Sequence, residues 1–250
     1  MGRTIIITGT RRGIGKAILE RFAEEADVTI LAHARKETPE FADGLRKIEE
    51  ERGCKIEPLY FDLRNSDEIK EALSRALKEY KKIDVLVNNA AVVMPSQSFL
   101  MASMEMIRES FEVNFFAQVQ ITQMVCRAMI RNKSGAVVNM ASVAAFSGVE
   151  GQFEYVCGKA ALVGMTRRLA NELAPHHIRV NAVAPGMIDT DMLAQMEPEM
   201  RGKLLEHSIA RRMGKPEEIA NAVYFLASGE ASFVNGQALL VNGGGIAFDA

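Results

Sequence analysis

Very little in this 250-residue chain commits it to a special environment. Its three cysteines, Cys54, Cys126 and Cys157, are widely spaced. They form no Cys-x-x-Cys pair and no even disulfide framework, which fits a reducing compartment. Charge of neither sign dominates: 30 Lys and Arg stand against 32 Asp and Glu. That balance gives nucleic acid or an anionic membrane surface nothing to grip. The opening apolar run, Thr4–Thr8, is far too short for a signal peptide or a membrane span. Ile6 stands where a myristoylation signal needs a hydroxyl. No Ser/Gly/Pro-rich linker and no internal repeat divides the chain. These absences predict a cytoplasmic protein with no nucleic-acid or membrane partner, and no metal site is expected.

What the chain has is alternation. Short apolar or β-branched runs at Thr4–Thr8, Val28–Ala32, Ile56–Phe61, Val85–Val87, Ala136–Met140, Arg179–Val183 and Ala238–Val241 read as strands. Between them Ile14–Glu25, Phe41–Arg52, Ser66–Tyr80, Met104–Asn132, Gln152–Leu173 and Pro216–Ala227 read as helices. Consecutive apolar residues within a strand mean burial on both faces, as in a parallel sheet covered by helices. The expected fold is α/β: one doubly wound Rossmann domain over residues 1–250, with a mostly or wholly parallel sheet of about seven strands. Residues 187–213 interrupt the rhythm. Met187, Met192, Met196, Met200 and Met213 fall there, and flexible thioether side chains suit a lid that repacks around a substrate.

Three groups of residues carry chemistry. The first strand runs into Thr8-Gly9-Thr10-Arg11-Arg12-Gly13-Ile14-Gly15, just before a helix. Glycines there let the backbone turn and approach a pyrophosphate, which the free N–H groups of the helix start stabilise. A nucleotide-hydrolase phosphate loop fails at two positions: Thr10 replaces its opening glycine, and Ala17 replaces the hydroxyl that holds magnesium. Tyr155 and Lys159 sit four apart at the start of a helix and therefore share a face. A nearby ammonium lowers a phenol's pKa and makes it usable as an acid/base near neutrality. Ser142, just past a strand end, offers a hydroxyl to a reacting oxygen.

The glycine motif, Asn88-Asn89-Ala90, Asn114, Ser142, Tyr155/Lys159 and Pro185-Gly186 come in the order and spacing of the short-chain dehydrogenases/reductases. The resemblance runs from Thr4 to about Gly244. The stretch Asn181–Met192 and the closing Phe233–Gln237 resemble the 3-oxoacyl-(acyl-carrier-protein) reductase branch. The resemblance implies a hydride transfer between a nicotinamide and a carbonyl or alcohol carbon. In it Tyr155 protonates the carbonyl oxygen, Ser142 holds that oxygen, Lys159 binds the nicotinamide ribose, and Asn114 positions a relay water. Thr8, Gly9, Arg11, Arg12, Gly13, Ile14 and Gly15 would wrap the cofactor phosphates. Asp62 with Leu63 would meet the adenine, Asn89 and Ala90 the adenosine, and Pro185, Gly186, Ile188 and Thr190 the nicotinamide side.

Four positions depart from the family pattern: Ala91 for glycine, Gly158 for serine, Asn242 for aspartate, and Asn171 where acyl-carrier reductases carry a basic residue. A glycine inside a helix, as at Gly158, costs roughly 1 kcal/mol against alanine. The second strand ends Leu31-Ala32-His33-Ala34-Arg35, without the carboxylate that accepts from a ribose 2′-hydroxyl. That favours NADP(H), with NAD(H) as the alternative and with His33, Arg35 and Arg12 near the 2′-phosphate; Glu37 opposes it. The substrate is a carbonyl or alcohol, carrier-linked in the 3-oxoacyl thioester reading. A sugar, polyol or secondary-metabolite dehydrogenase is the rival. A non-catalytic cofactor sensor is the remote one, since a sensor needs none of the acid/base set. The long helices Met104–Asn132 and Gln152–Leu173 are apolar beyond what one sheet contact requires, as is the run through Phe248, so a homotetramer is expected.

Overall fold

The computed structural model describes residues 2–148, 150–190 and 208–244. Most of the 187–213 lid, with Met192, Met196 and Met200, and the apolar end at Ile246–Phe248 lie outside the described residues.

Seven strands form one sheet: β1 (Thr4–Ile7), β2 (Thr29–Ala34), β3 (Lys55–Tyr60), β4 (Val85–Asn88), β5 (Gly135–Met140), β6 (Ile178–Pro185) and β7 (Ala238–Val241). Their order is β3-β2-β1-β4-β5-β6-β7 and every pairing is parallel. The strand order reverses between β1 and β4, and the crevice at the carboxyl edge there is where open α/β sheets bind ligands.

Side chains on one strand alternate between two cores. Ile5 and Ile7 enter the layer beneath α1 (Gly13–Phe22) and α2 (Pro39–Arg52), together with Ile18, Phe22 and Phe41. Ile6 points the other way, toward Leu73 of α3 (Ser66–Glu79). The single long helix expected at Met104–Asn132 is three pieces. They are α4 (Met104–Phe111), a π-helical turn (Glu112–Phe116) and α5 (Ala117–Asn132). A 3-10 turn, Phe99–Met101, precedes them. The short α6 (Ala144–Ser147), α7 (Phe153–Leu173) and α8 (Pro216–Ala227) complete the described helices.

Two asparagines of the sheet are linked to each other and to threonines of the covering helices. Asn88 Nδ2 donates to Asn139 Oδ1 at 2.8 Å and to Thr122 Oγ1 at 2.9 Å, while Asn139 Nδ2 donates to Thr166 Oγ1 at 2.9 Å. All four residues are buried. Both threonine hydroxyls spend their proton on a helix carbonyl, those of Gln118 and Leu162. They can therefore only accept from the amides, and each amide has one orientation. This chain stitches α5 and α7 to the carboxyl ends of β4 and β5, next to the crevice. Breaking one link would leave its partner unsatisfied at about 1–3 kcal/mol.

Candidate active site

The glycine loop leaves β1 and turns back onto its neighbours. The Thr8 hydroxyl donates to Val87 O (3.3 Å) and accepts from Asn89 N (2.9 Å) and Ala90 N (3.0 Å), tying the ends of β1 and β4 together. Asn89 Nδ2 donates to the carbonyls of Thr8 and Gly9 at 2.9 and 3.1 Å. A Cβ on Gly15 would lie 2.0 Å from Gly9 O, so only glycine fits there. Gly9 and Gly13 have φ of +74° and +57°, which side chains disfavour. Thr190 reaches Gly13 from the far side, its Cγ2 3.4 Å from where a Cβ would be. These close approaches leave bare backbone at the start of α1, a cradle that fits a pyrophosphate. Arg11 and Arg12 flank it, both exposed.

His33 is not a cation at this site. Its Nδ1 accepts from Gly9 N at 3.1 Å, so the proton sits on Nε2, which donates to Phe61 O at 2.9 Å. Burial pulls its pKa from 6.5 to about 4, against the smaller upward pull of the Phe61 carbonyl and Asp62. The ring stacks on Phe61, centroids 4.0 Å apart. His33 thus shapes the loop, and Arg35, exposed beyond the end of β2, is left to carry positive charge there. Asp62 follows Phe61, its Oδ1 accepting from Arg64 N at 3.0 Å; Leu63 is buried beside it.

Ser142, Tyr155 and Lys159 come together at the carboxyl end of β5. Burial pushes the Tyr155 phenol above its usual pKa, and a hydrogen bond from Ser142 pulls it part of the way back. Sequence reasoning expects a lowered value; without the positive charge of an oxidised nicotinamide, desolvation wins. Lys159 is 2% exposed. Its Nζ donates to Met140 O at 2.7 Å and lies 5.6 Å from the Tyr155 ring centroid. Burial lowers its pKa from 10.5 to about 8.

Asn114 lies in the π turn, a helix form frequent at functional sites. Its side chain is taken: Oδ1 accepts from Val92 N and Nδ2 donates to Val92 O, both at 2.9 Å, with a further bond to Ser110 Oγ at 3.0 Å. It clamps the segment after β4, so the relay-water role expected of Asn114 would fall to its main-chain carbonyl. Gly158 faces it across α7, where an added Cβ would be 3.5 Å from Asn114 Cβ. The family's larger residue would place its Cβ in ordinary contact there, so space does not explain the glycine.

Pro185 O accepts from Val143 N at 3.1 Å, fixing the segment that carries Ser142. Gly186 packs against Asn242, whose Cβ would be 2.7 Å from any Cβ placed on Gly186. The Ile188 side chain is buried in the core, so only its backbone can face a nicotinamide amide. Sequence reasoning missed Thr10, whose hydroxyl and N–H both bond His33 O, and the Asn139–Thr166 link behind Lys159. A buried asparagine between Val138 and Met140 was the available signal.

A family profile described as enoyl-(acyl carrier protein) reductase matches residues 9–245. The chain belongs to the short-chain dehydrogenase/reductase family and is an NAD(P)-dependent oxidoreductase. It is 39% identical to the 3-oxoacyl-(acyl-carrier-protein) reductase FabG of Thermotoga maritima, over 97% of each chain. To the FabG of Escherichia coli K12 it is 34% identical, again over 97% of each. Two similar solved structures are described as gluconate dehydrogenases. The one from Agrobacterium tumefaciens has a TM-score of 0.90 at 29% identity, covering 97% of this chain and 95% of that one. The one from Beutenbergia cavernae, with bound NADP, has a TM-score of 0.88 at 32% identity, covering 97% and 96%.

The depressed Lys159 pKa has a readable consequence. At pH 7 the buried ammonium is a standing cost; between about pH 8 and 10.5 the folded chain loses that proton first and the cost disappears. Without cofactor, Tm of Lys159→Met minus Tm of wild type should therefore be most positive at pH 7 and shrink by pH 10 in paired thermal melts. A difference that stays constant with pH would mean that the ammonium is not depressed.

Proposed function

We propose that this enzyme reduces a 3-oxoacyl thioester to the 3-hydroxy thioester with NADPH, Tyr155 giving the proton to the carbonyl oxygen. The observation that carries the reading is the grouping of Ser142, Tyr155 and Lys159 beside the glycine cradle. A bound nicotinamide supplies the hydride. Ser142 donates to the substrate oxygen and Tyr155, which holds its proton through neutral pH, passes it on. Lys159, anchored on Met140 O, turns toward the cofactor ribose and places positive charge beside the phenol as the proton leaves. Asn114 holds the Val92 segment and, through its carbonyl, the water that returns a proton. The FabG relatives support the thioester and a carrier-linked substrate. The gluconate dehydrogenases of similar structure favour a second reading, a sugar-acid oxidoreductase. An assay following nicotinamide absorbance with acetoacetyl thioester, gluconate and small ketones separates the two. Tyr155→Phe should lower kcat at least about a hundredfold on the true substrate and leave NADPH affinity nearly unchanged. More than a few per cent of wild-type rate would move proton transfer to another group.

NADPH is read as the preferred cofactor, with NADH the weaker one, because β2 ends without a carboxylate and Arg35 and Arg12 flank the loop. The NADP-bound relative supports this. Fluorescence titration should give NADPH a Kd at least about tenfold below that of NADH, and Arg35→Ala should narrow the gap, since charge-assisted contacts to a phosphate are the strong ones. Equal or tighter NADH binding would overturn it.

The chain is further read as a cytoplasmic homotetramer of single-domain subunits, with the Met-rich segment as a lid. Ile107, Phe111 and Phe116 line an outward groove on α4 and the π turn, and Phe116 is 53% exposed. Leu239 is 38% exposed on the edge strand β7. Such apolar surface marks interaction sites. Light scattering at micromolar concentration should give four times the 27.5 kDa chain mass; an active monomer would defeat the assembly.

A further inference from the structure

The segment after β4 and the start of α7 meet at the mouth of the crevice. Gln97 N donates to Gly151 O at 2.9 Å, and the Phe99 and Phe153 rings touch, centroids 4.7 Å apart. Phe153 is two residues from Tyr155, and Asn114 holds the root of the same segment at Val92. On this frame Phe99, Leu100 and Met101 are 59%, 87% and 74% exposed, and Phe153 is 40% exposed. Three consecutive large apolar side chains in water are a standing cost unless something covers them.

The charge pattern says what that is. Ala91–Ser103 contains no charged residue, and neither does Ala141–Gly148, the other wall of the mouth. Neither segment offers a cation to the carboxylate of a sugar acid. Ser96, Gln97 and Ser98 precede the patch, but Phe99, Leu100, Met101 and Phe153 themselves offer a polyol no side-chain hydrogen bond. An alkyl chain needs neither.

We propose that Phe99, Leu100, Met101 and Phe153 form a shelf for the substrate's alkyl chain, making the enzyme selective for medium and long 3-oxoacyl thioesters over short ones. The proposal rests on the thioester reading above and narrows it. The binding gained along the shelf acts on kcat/KM, because the chain stays in place through the transition state.

Initial rates of NADPH oxidation with 3-oxoacyl-coenzyme A thioesters of four, eight and twelve carbons test it. A methylene taken fully out of water is worth about fourfold in binding, so even an open shelf should raise kcat/KM at least about tenfold from four carbons to twelve. In the double variant Phe99→Ser/Leu100→Ser that rise should fall below about threefold. The twelve-to-four ratio is taken within one preparation, so misfolded protein cancels. Turnover with no thioester would overturn the thioester reading and the shelf together. Turnover with a flat wild-type profile would overturn the shelf alone, as would a variant that keeps the full rise. Light scattering on the same samples adds one more outcome: a variant that falls to smaller species while keeping the wild-type rise would make the patch a subunit contact and sink the proposal.

Discussion

Backbone groups that leave a parallel sheet at its carboxyl edge lose their ladder partners, and a phosphate cradle has to be built from those same groups. This chain meets the constraint with side chains from neighbouring strands. Thr8 joins the ends of β1 and β4, Asn89 holds the carbonyls of Thr8 and Gly9, and His33 takes the Gly9 amide. His33 can do so only as a neutral ring with its proton on Nε2, and burial keeps it neutral. Since that proton goes to Phe61 O, one imidazole joins β1, β2 and the segment leading to Asp62. The loop's hydrogen bonds are in place without a ligand, so the ordering cost is met in folding rather than in binding.

The same desolvation governs the acid/base pair. Burial raises the Tyr155 pKa and lowers that of Lys159, so it favours the neutral form of both. A phenol that keeps its proton suits donation to a carbonyl. The opposite direction, oxidation of an alcohol, needs a phenolate, which the positive charge of an oxidised nicotinamide beside Lys159 would favour.

Much of this was legible in the sequence, because the features that show there are local. Ile5-Ile6-Ile7 and Val85-Leu86-Val87 announce strands buried on both faces, and Tyr155 and Lys159 share a face by helical spacing alone. The misses depend on partners far along the chain. Reading β2 as ending at Ala32 leaves out His33 and Ala34, which pair in register with Leu59 and Tyr60 of β3. The Thr38 cap, whose hydroxyl accepts from Phe41 N, starts α2 two residues before the apolar pattern does. Asn114 stands out as a poor mid-helix residue, yet its partner is Val92, 22 positions away, and no periodicity reports that.

The π turn sets a limit of its own on how this gene product can vary. Each residue of an α-helix turns it by about 100° and advances it by about 1.5 Å. Five residues, Glu112–Phe116, take the wider turn, so α4 and α5 are out of phase with one unbroken α-helix. Deleting any one of them would let the segment relax to an ordinary helix and rotate one flank against the other. If α5 kept its buried face on the sheet, with Ile121 and Val125, then Ile107 and Phe111 would swing off their present line and Asn114 would turn away from Val92. In this stretch, length is as strictly specified as residue type, and most substitutions should be milder than a single-codon deletion.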